Sequence, residues 1–342
     1  MPSPVPPRDR KVYFVGAGLS SALGLPNTPS LIEGVLELAA RHSRWLISEK
    51  LPDRLDQAFH YFYPDAINAG YRPDVVDFFS TLRTYLDVGA GLAGGLHDAP
   101  DLYRSLKFAI AHLLVERIRE CGAHLEQGHA YLDDVVQPGN IVITSNWDVV
   151  VERYAQLTDV PLRLSGFGEN ELVLLKLHGS IDWCLGSDRA NYPNRDYCLL
   201  GEQLFGVRPY TMTLPSVAQL RTQLVRIRAL ESWSDGWRKI ISRANDLHMV
   251  TMARSKAGDL GPLRPVWRDA YGAISRAETL EIVGYSLPDD DIEIRTLLRA
   301  GIQRGDGPTR LVVRNPAPDV HERARRYLLH TFDSNYLPVD AA

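Results

Sequence analysis

The sequence predicts an α/β fold built on a doubly wound parallel sheet, and two observations support this prediction. First, short segments are almost continuously apolar, as strands buried on both faces of a parallel sheet are. Second, stretches with helical spacing lie between them, and such alternation is typical of doubly wound sheets. The predicted strands are Lys11–Val15, Asn140–Thr144, Leu172–Leu177, Thr279–Gly284 and Thr309–Val313.

Apolar residues at helical spacing predict the helices that connect these strands. The predicted helices are Leu31–Ala40, Asp101–Cys121, Val217–Leu230, Ile240–Leu247, Pro265–Ala277 and Ile292–Gly301. Two regions, about 30–138 and about 186–264, are too long for simple crossovers. We therefore expect one domain over 11–342 with two mainly helical insertions, preceded by a flexible, proline-rich tail over 1–10.

Composition narrows the function classes. The chain has 342 residues and a formal net charge of −4, which gives no electrostatic case for nucleic acid as its main ligand. Its three cysteines, Cys121, Cys184 and Cys198, are scattered, as in proteins of a reducing compartment. The sequence shows no signal peptide and no apolar run long enough to span a membrane. A cytoplasmic protein without membrane contact is expected.

A glycine-rich turn follows the first predicted strand. Val15–Pro26 reads VGAGLSSALGLP, so Gly16 and Gly18 permit a tight turn that brings backbone N–H groups close to a pyrophosphate. Ser20 and Ser21 can add hydroxyl donors, and the next helix would direct its N-terminus at the anion. The alternative is an ordinary strand–helix turn without a ligand.

This turn resembles the opening motif of the sirtuin superfamily, Gly-Ala-Gly-Ile-Ser-x-x-x-Gly-Ile-Pro. The similarity includes Ala17 and extends through Gly24 to Pro26. Protein deacylases of that family continue with Asp-Phe-Arg, whereas this chain continues with Asn-Thr-Pro over 27–29. The resemblance therefore implies NAD binding on a Rossmann-like sheet, while the missing Phe and Arg argue against deacylation.

The turn after the second strand, Thr144–Asp148, reads TSNWD and resembles the sirtuin segment Thr-Gln-Asn-Ile-Asp. The resemblance implies that Asn146 faces the nicotinamide ribose and positions a water, and that Asp148 contacts the nicotinamide side. Fixed dipoles of this kind stabilise the oxocarbenium charge that develops as an N-glycosidic bond breaks. The alternative is that both residues only cap a helix over 149–156.

The turn after the third strand, Leu175–Ser180, reads LKLHGS and resembles the sirtuin His-Gly site, where the histidine is the general base. His178 would have that role here. An imidazole titrates near neutrality and can accept a proton from water or a ribose hydroxyl. A single histidine can equally be structural, so the prediction depends on its agreement with the two preceding turns.

Two later turns complete the resemblance. Ile282–Pro288 resembles the sirtuin Gly-Thr-Ser-Leu turn, which implies that Gly284 and Ser286 contact ribose and phosphate. With the acidic residues 289–291 that follow, it also resembles bacterial sirtuin-like proteins of antiphage defence. We expect those acids in the first turn of the next helix, where the dipole favours them. Asn315 would contact the adenosine ribose, unless it is only a turn residue before proline.

The resemblance does not include a metal site. Zinc-dependent sirtuins carry two Cys-x-x-Cys pairs after the His-Gly motif, but Cys184 and Cys198 stand alone in that region. We therefore predict neither a zinc module nor another metal.

The resemblance implies an NAD+ hydrolase (NADase) that releases nicotinamide and ADP-ribose, with antiphage defence by NAD depletion as its role. It also implies control by assembly, either as a homo-oligomer or with a partner such as a HerA-like ATPase. Two alternatives remain open. One is an NAD-dependent protein deacylase or ADP-ribosyltransferase, and the other is a non-catalytic sensor of NAD or ADP-ribose.

Overall fold

The structure, a computed structural model, describes most of the chain. The described residues are 11–41, 51–88, 99–126, 128–164, 166–185, 197–199, 224–227, 247–254, 256, 259–303, 307–328 and 336–339. Among them, no helix is long and apolar enough to cross a membrane.

The five predicted strands are present, each within one residue of its predicted bounds, but strands and helices alternate strictly only from Arg264 to Val339 among the described residues. The strands are β1 (Lys11–Val15), β2 (Ile141–Thr144), β3 (Leu162–Arg163), β4 (Leu172–Lys176), β5 (Gly179–Leu185), β6 (Tyr197–Leu199), β7 (Leu224–Ile227), β8 (Leu247–Met249), β9 (Thr279–Val283), β10 (Arg310–Arg314) and β11 (Tyr336–Val339). The helices are α1 (Ala17–Ala22), α2 (Leu31–Arg41), α3 (Leu51–Phe62), α4 (Pro64–Asn68), α5 (Val75–Asp87), α6 (Ala99–Glu120), α7 (Gly122–Glu126), α8 (Ala130–Val135), α9 (Val150–Leu157), α10 (Arg264–Ile274), α11 (Ile292–Ile302) and α12 (Pro318–Leu328).

The main sheet is doubly wound. It has seven strands in the order β11-β10-β9-β1-β2-β4-β3, and all of its strand pairs are parallel. From β1 the chain fills one half of the sheet through β2, β3 and β4, then returns to β9 and fills the other half. The direction of winding therefore switches beside β1, and ligands of such sheets bind at the carboxyl ends of the strands there.

Both faces of the sheet are buried, which explains the continuous apolar runs. Along β1, Tyr13 and Val15 belong to one hydrophobic cluster, whereas Val12 and Phe14 belong to the other. The first cluster includes apolar residues of α2, α3, α5 and α6, and the second includes those of α10, α11 and α12. Side chains alternate between the two faces of a strand. When helices cover both faces, most positions of the strand are therefore apolar.

The first insertion is helical, as predicted. Within its described residues, 30–138 forms α2 to α8 and contributes no strand. Its longest helix, α6, is 22 residues long and is buried along most of its length. The insertion therefore extends the hydrophobic core on one face of the sheet.

The second insertion differs from the prediction where it is described. Leu224–Ile227, inside the range predicted as a helix over 217–230, is strand β7, and Leu247, the last residue of the helix predicted over 240–247, begins β8. These strands join β5 and β6 in a four-stranded antiparallel sheet of order β6-β7-β5-β8. The helix prediction is wrong at these residues, because the open edges of β5 provide backbone partners that helical spacing cannot reveal. The other residues of both ranges lie outside the described part.

Candidate functional site

A cavity of about 560 Å³ opens at the carboxyl ends of the strands beside the switch point. Its size is typical of small-molecule sites, which range over about 300–1,000 Å³. Most of the residues that the sequence singled out line it, and they come from the turns after β1, β2, β4, β9 and β10. These lining residues are Ala17, Gly18, Ser21, Pro26, Asn146, Asp148, His178, Gly284, Ser286 and Asn315. The other two predicted residues, Gly16 and Ser20, are not among the lining residues.

The glycines allow the turns after β1 and β9 to pack backbone against backbone. A Cβ on Gly16 would lie 2.5 Å from Tyr285 Cα, and one on Gly18 would lie 2.8 Å from Gly284 Cα. Gly284 has a φ of +58° and would meet Leu19 N at 2.6 Å. The Gly18 N–H donates to the Gly284 carbonyl at 2.8 Å. This N–H group is therefore engaged within the protein, and the need for glycine here is explained by packing alone.

Asn146 is fixed in the cavity wall by its own amide. Its Nδ2 donates to the Gly16 carbonyl at 3.1 Å and to Ser20 Oγ at 3.2 Å. Its backbone N–H donates to Thr144 Oγ1 at 3.0 Å, and that hydroxyl donates to the Val15 carbonyl at 2.8 Å. With both amide hydrogens directed at the turn after β1, the side-chain oxygen Oδ1 remains available as an acceptor.

Asp148 connects three parts of the site. Its Oδ2 accepts from Ser20 Oγ at 2.7 Å, and its Oδ1 accepts from the Val150 N–H at the start of α9 at 3.0 Å. The carboxylate is buried, and its backbone carbonyl accepts a hydrogen bond from Lys176, which is itself paired with Glu152 at 2.9 Å. Asp148 therefore has the helix-capping contact that the sequence left open, because one oxygen accepts from the first turn of α9. The residue also lines the cavity.

The two adjacent serines have different environments. Ser20 is buried, and its hydroxyl is engaged by Asp148 and Asn146. Ser21 lines the cavity, and its buried Oγ has no hydrogen-bond partner among the described residues. A buried hydroxyl without a partner is unfavourable, so Ser21 is suited to donate to a bound ligand.

The backbone around His178 is fixed by hydrogen bonds from more distant parts of the chain. The Leu177 carbonyl accepts from Trp267 Nε1 at 2.9 Å, and the His178 carbonyl accepts from the Val250 N–H at 2.8 Å. Next to it, Gly179 has a φ of +72°, and a Cβ there would lie 2.0 Å from the His248 carbonyl oxygen. The backbone on both sides of the imidazole is therefore fixed by the packing of the small sheet and α10.

The electrostatics of His178 follow from burial. Its side chain is 6% exposed, and its Nε2 has no hydrogen-bond partner among the described residues. Burial lowers the pKa of His178 to about 4, against the opposing effect of Asp291, and the Lys256 ammonium lowers it further. At neutral pH the imidazole is thus uncharged and can accept a proton.

Sequence reasoning missed a buried ionic cluster around this histidine. Asp291 Oδ1 lies 3.6 Å from His178 Nε2 and accepts from Lys256 Nζ at 2.6 Å, while Tyr285 donates to Asp291 Oδ2 at 2.8 Å. Burial raises the pKa of the Asp291 carboxyl, but His178, Lys256 and Tyr285 together more than offset this, so its pKa lies below the usual value. Asp291 and Lys256 both line the cavity.

The prediction for residues 289–291 is therefore wrong. The helix α11 begins at Ile292, after all three acids, and the side chain of Asp291 makes no capping hydrogen bond. Attraction to a buried lysine is stronger here than the helix dipole, because the partner lies at contact distance in a site shielded from water. The only sequence signal was the position of Asp291, seven residues beyond Gly284 and close to the end of a central strand.

Asn315 shows both features that the sequence left open. Its Oδ1 accepts from the Ala317 N–H at 3.0 Å, which is the expected turn geometry before a helix. The residue also lines the cavity beside Ser286 and Gly284. Its amide nitrogen is the part that remains for a ligand.

The insertions supply the remaining wall of the cavity. Asn27, Thr28 and Pro29, which stand where deacylases carry Asp-Phe-Arg, line it next to Leu31. Val76 and Leu114 of the first insertion and Met252 of the second also line it. Most of these side chains are apolar, and Asn27, Thr28 and Asp74 add polar groups to the same lining.

The described residues contain no group of three or more His, Cys, Asp or Glu side chains that could hold a metal ion. The absence of a metal cofactor stays a prediction, because the side chains of Cys184 and Cys198 and part of the second insertion lie outside the described residues.

Comparison with known proteins gives structural similarity only. No family model matches the sequence, and no curated protein matches it either. Among solved structures, a serine-to-alanine variant of a Sir2 homologue with ADP-ribose is 13% identical, with 97% of this chain and 88% of that chain covered and a TM-score of 0.36.

Two further solved structures are similar at the same level. A Sir2 homologue in complex with NAD is 15% identical, covers 91% of this chain and 79% of that chain, and has a TM-score of 0.32. A histidine-to-tyrosine variant of Sir2 with a p53 peptide and NAD is 16% identical, covers 94% and 92%, and has a TM-score of 0.30. The functional argument therefore rests on the geometry of the site itself.

Proposed function

We propose that this chain is an NAD+ hydrolase of the sirtuin type, which breaks the nicotinamide–ribose bond and releases nicotinamide and ADP-ribose. The observation that carries the proposal is the cavity at the switch point, which turns from five strands line and whose lining includes Asn146, Asp148 and His178. Gly18, Ser21, Gly284, Ser286 and Asn315 line the same space. A dinucleotide fits this arrangement, with its phosphates and adenosine ribose at the turns after β1, β9 and β10.

Asn146 and His178 divide the chemistry between them. As the glycosidic bond breaks, positive charge develops on the ribose. The electron pair of the breaking C–N bond moves to the pyridinium nitrogen, and the ring leaves as neutral nicotinamide. The Oδ1 atom of Asn146, held by hydrogen bonds through Nδ2, orders the attacking water on the ribose. His178, uncharged at neutral pH, accepts the proton that the water loses.

The cavity walls support water as the acceptor. His178 is 5% exposed, and the wall beside it is completed by Lys256 and Asp291. The residues over 27–29 and apolar side chains of the insertions also line the cavity. A protein deacylase must admit an acylated lysine to the ribose, and this chain also lacks the Phe-Arg pair of such enzymes. The second candidate is an NAD-dependent protein deacylase or ADP-ribosyltransferase, which would share the NAD chemistry and differ in the acceptor.

The biological role in the proposal follows from the resemblance of the Gly284–Asp291 segment to bacterial antiphage proteins. Depletion of NAD would stop phage replication, but a constantly active enzyme would kill its host. We therefore propose that a cytoplasmic homo-oligomer, or a complex with a partner such as a HerA-like ATPase, switches the activity on. Nicotinamide release measured over a protein concentration series should rise more steeply than linearly.

Nicotinamide release from purified protein tests the reaction. Asn146→Ala and His178→Ala should each lower the rate by at least about a hundredfold, because each removes a group that acts in the transition state. Asn140→Ala is the matched control. That asparagine also donates two hydrogen bonds to backbone carbonyls, of Asp134 and Val135, but it lies just before β2, at the opposite end of the strand.

The products separate the candidates. Free ADP-ribose without any peptide supports hydrolysis, whereas an O-acetyl product that needs an acetylated peptide supports deacylation. NAD binding measured by calorimetry, with no nicotinamide release in any assembly state, would support a sensor. Full activity of both the Asn146 and the His178 variant would show that the site is assigned to the wrong residues.

A further inference from the structure

We propose that Asp291 is a positioning residue that acts through His178: its carboxylate, shared with Lys256, stabilises the imidazolium that forms when His178 accepts a proton. The inference rests on the proposed function and deepens it. It assigns a role to Lys256, which no sequence motif indicated, and to Asp291, which the sequence placed only in the first turn of a helix.

The geometry places one carboxylate oxygen between two nitrogen groups. Asp291 Oδ1 lies 2.6 Å from Lys256 Nζ and 3.6 Å from His178 Nε2. The side chains of all three are less than a tenth exposed. The second oxygen, Oδ2, is held by the Tyr285 hydroxyl at 2.8 Å, so the carboxylate cannot rotate away without losing that bond.

The charge balance explains why a buried histidine needs this carboxylate. In the resting state, Lys256 neutralises Asp291, and His178 is uncharged. When the attacking water forms its bond to the ribose, its proton moves to the imidazole and a second positive charge appears beside Lys256. Without Asp291, two adjacent cations would be buried with no counter-charge, which is strongly unfavourable in a site that excludes water. Asp291 allows the proton transfer, and the proton later leaves to solvent.

Lys256 acts in the opposite direction. Its ammonium lowers the pKa of His178, while Asp291 raises it against the dominant effect of burial. Among the described groups, these two are the charges that act on His178, and the Trp267 ring, with its centroid 6.5 Å from the imidazole, is the aromatic neighbour. Lys256 thus keeps His178 uncharged between turnovers, and Asp291 makes its protonated state accessible during one.

Two substitutions with opposite predicted effects test the proposal. In Asp291→Asn, the pKa of His178 should fall, and kcat should drop by about tenfold or more with KM within about twofold, since only the charged intermediate is affected. In Lys256→Met, the pKa of His178 should rise from about 4 toward its ordinary value. The acidic limb of the pH–rate profile should therefore shift to higher pH.

NMR titration of histidine-labelled protein, with the His178 signal assigned by His178→Gln, gives a readout that does not depend on activity. Asp290→Asn is the control, because this neighbouring carboxylate also lines the cavity but makes no ion pair with His178. It should leave the pKa of His178 unchanged.

Opposite shifts of the His178 pKa in the two variants would support the role of Asp291 even if the protein hydrolyses no NAD. A His178 pKa that stays unchanged in both, or moves in the same direction in both, would overturn it even if hydrolysis is confirmed. If Asp291→Asn does not fold, Lys256→Met decides alone: an unchanged or lowered His178 pKa contradicts the proposal.

Discussion

The two sides of the cavity are built by opposite means. On the glycine side, the turns after β1 and β9 meet through backbone atoms, and the N–H groups of Gly16, Gly18 and Gly284 and the amide of Asn146 are paired within the protein. On the histidine side, charged side chains from distant segments are buried together, and His178 Nε2 has no hydrogen-bond partner among the described residues.

The difference separates shape from chemistry. Backbone packing at the glycine side depends on the absence of side chains, so it fixes the form of the cavity whether or not a ligand is bound. The ionic cluster at the histidine side is costly to bury and contributes little net stability. In the proposed reaction, this cluster would supply the proton acceptor and its counter-charge.

The largest effect is expected at the glycine side. Gly16→Ala should lower the free energy of unfolding by about 3 kcal/mol or more, because its Cβ would lie 2.5 Å from Tyr285 Cα and backbone atoms cannot shift without strain. Gly122→Ala is the control, since nothing lies within 4 Å of a Cβ there, and it should change stability by no more than about 1 kcal/mol. Urea denaturation measures both, and equal losses would contradict the close approach.

A smaller effect is expected from pH at the histidine side. Burial lowers the pKa of His178, and of His248 on β8, to about 4 in the folded protein. Between about pH 6.5 and 4, these two histidines are protonated in the unfolded chain but uncharged in the folded protein. The free energy of unfolding should therefore fall between pH 6.5 and 4, by up to about 3 kcal/mol for each histidine.

Single substitutions identify the source of this loss. His248→Gln and His178→Gln should each make the stability curve flatter between pH 6.5 and 4, as measured by denaturation at several pH values. A curve that keeps its slope in both variants would mean that these imidazoles are protonated in the folded protein as readily as in the unfolded chain.

The smallest effect separates the two serines. Ser20→Ala removes the hydrogen bond to Asp148 at 2.7 Å and should cost about 1–2 kcal/mol of stability. Ser21→Ala removes a hydroxyl without a partner and should leave stability within about 0.5 kcal/mol, while NAD binding weakens by about tenfold. Denaturation and calorimetry on the same two proteins measure this, and the reverse pattern would exchange the roles of the serines.

Much of the fold and of the site could be predicted from the sequence, for identifiable reasons. Strand β1 is recognisable because both of its faces are buried, and the turn that follows it because only glycine tolerates contact with Tyr285 Cα. Strand β7 could not be predicted, since its backbone partners are in β5 and β6 and residue spacing does not identify such partners. The predicted environment of Asp291 was wrong, because sequence rules for helix ends consider only nearby residues and not its contact with Lys256.

The sequence by itself determined the doubly wound sheet and the turns that line its carboxyl ends, because strand burial and glycine turns depend on neighbours within a few residues. Only the tertiary structure decided which serine faces the cavity and which carboxylate meets His178. Lys256 and Asp291 are 35 residues apart, and His178 precedes Lys256 by a further stretch that includes β5 to β8. Contacts over such distances depend on the packing of segments that are remote in sequence, and the spacing of residues along the chain does not specify that packing.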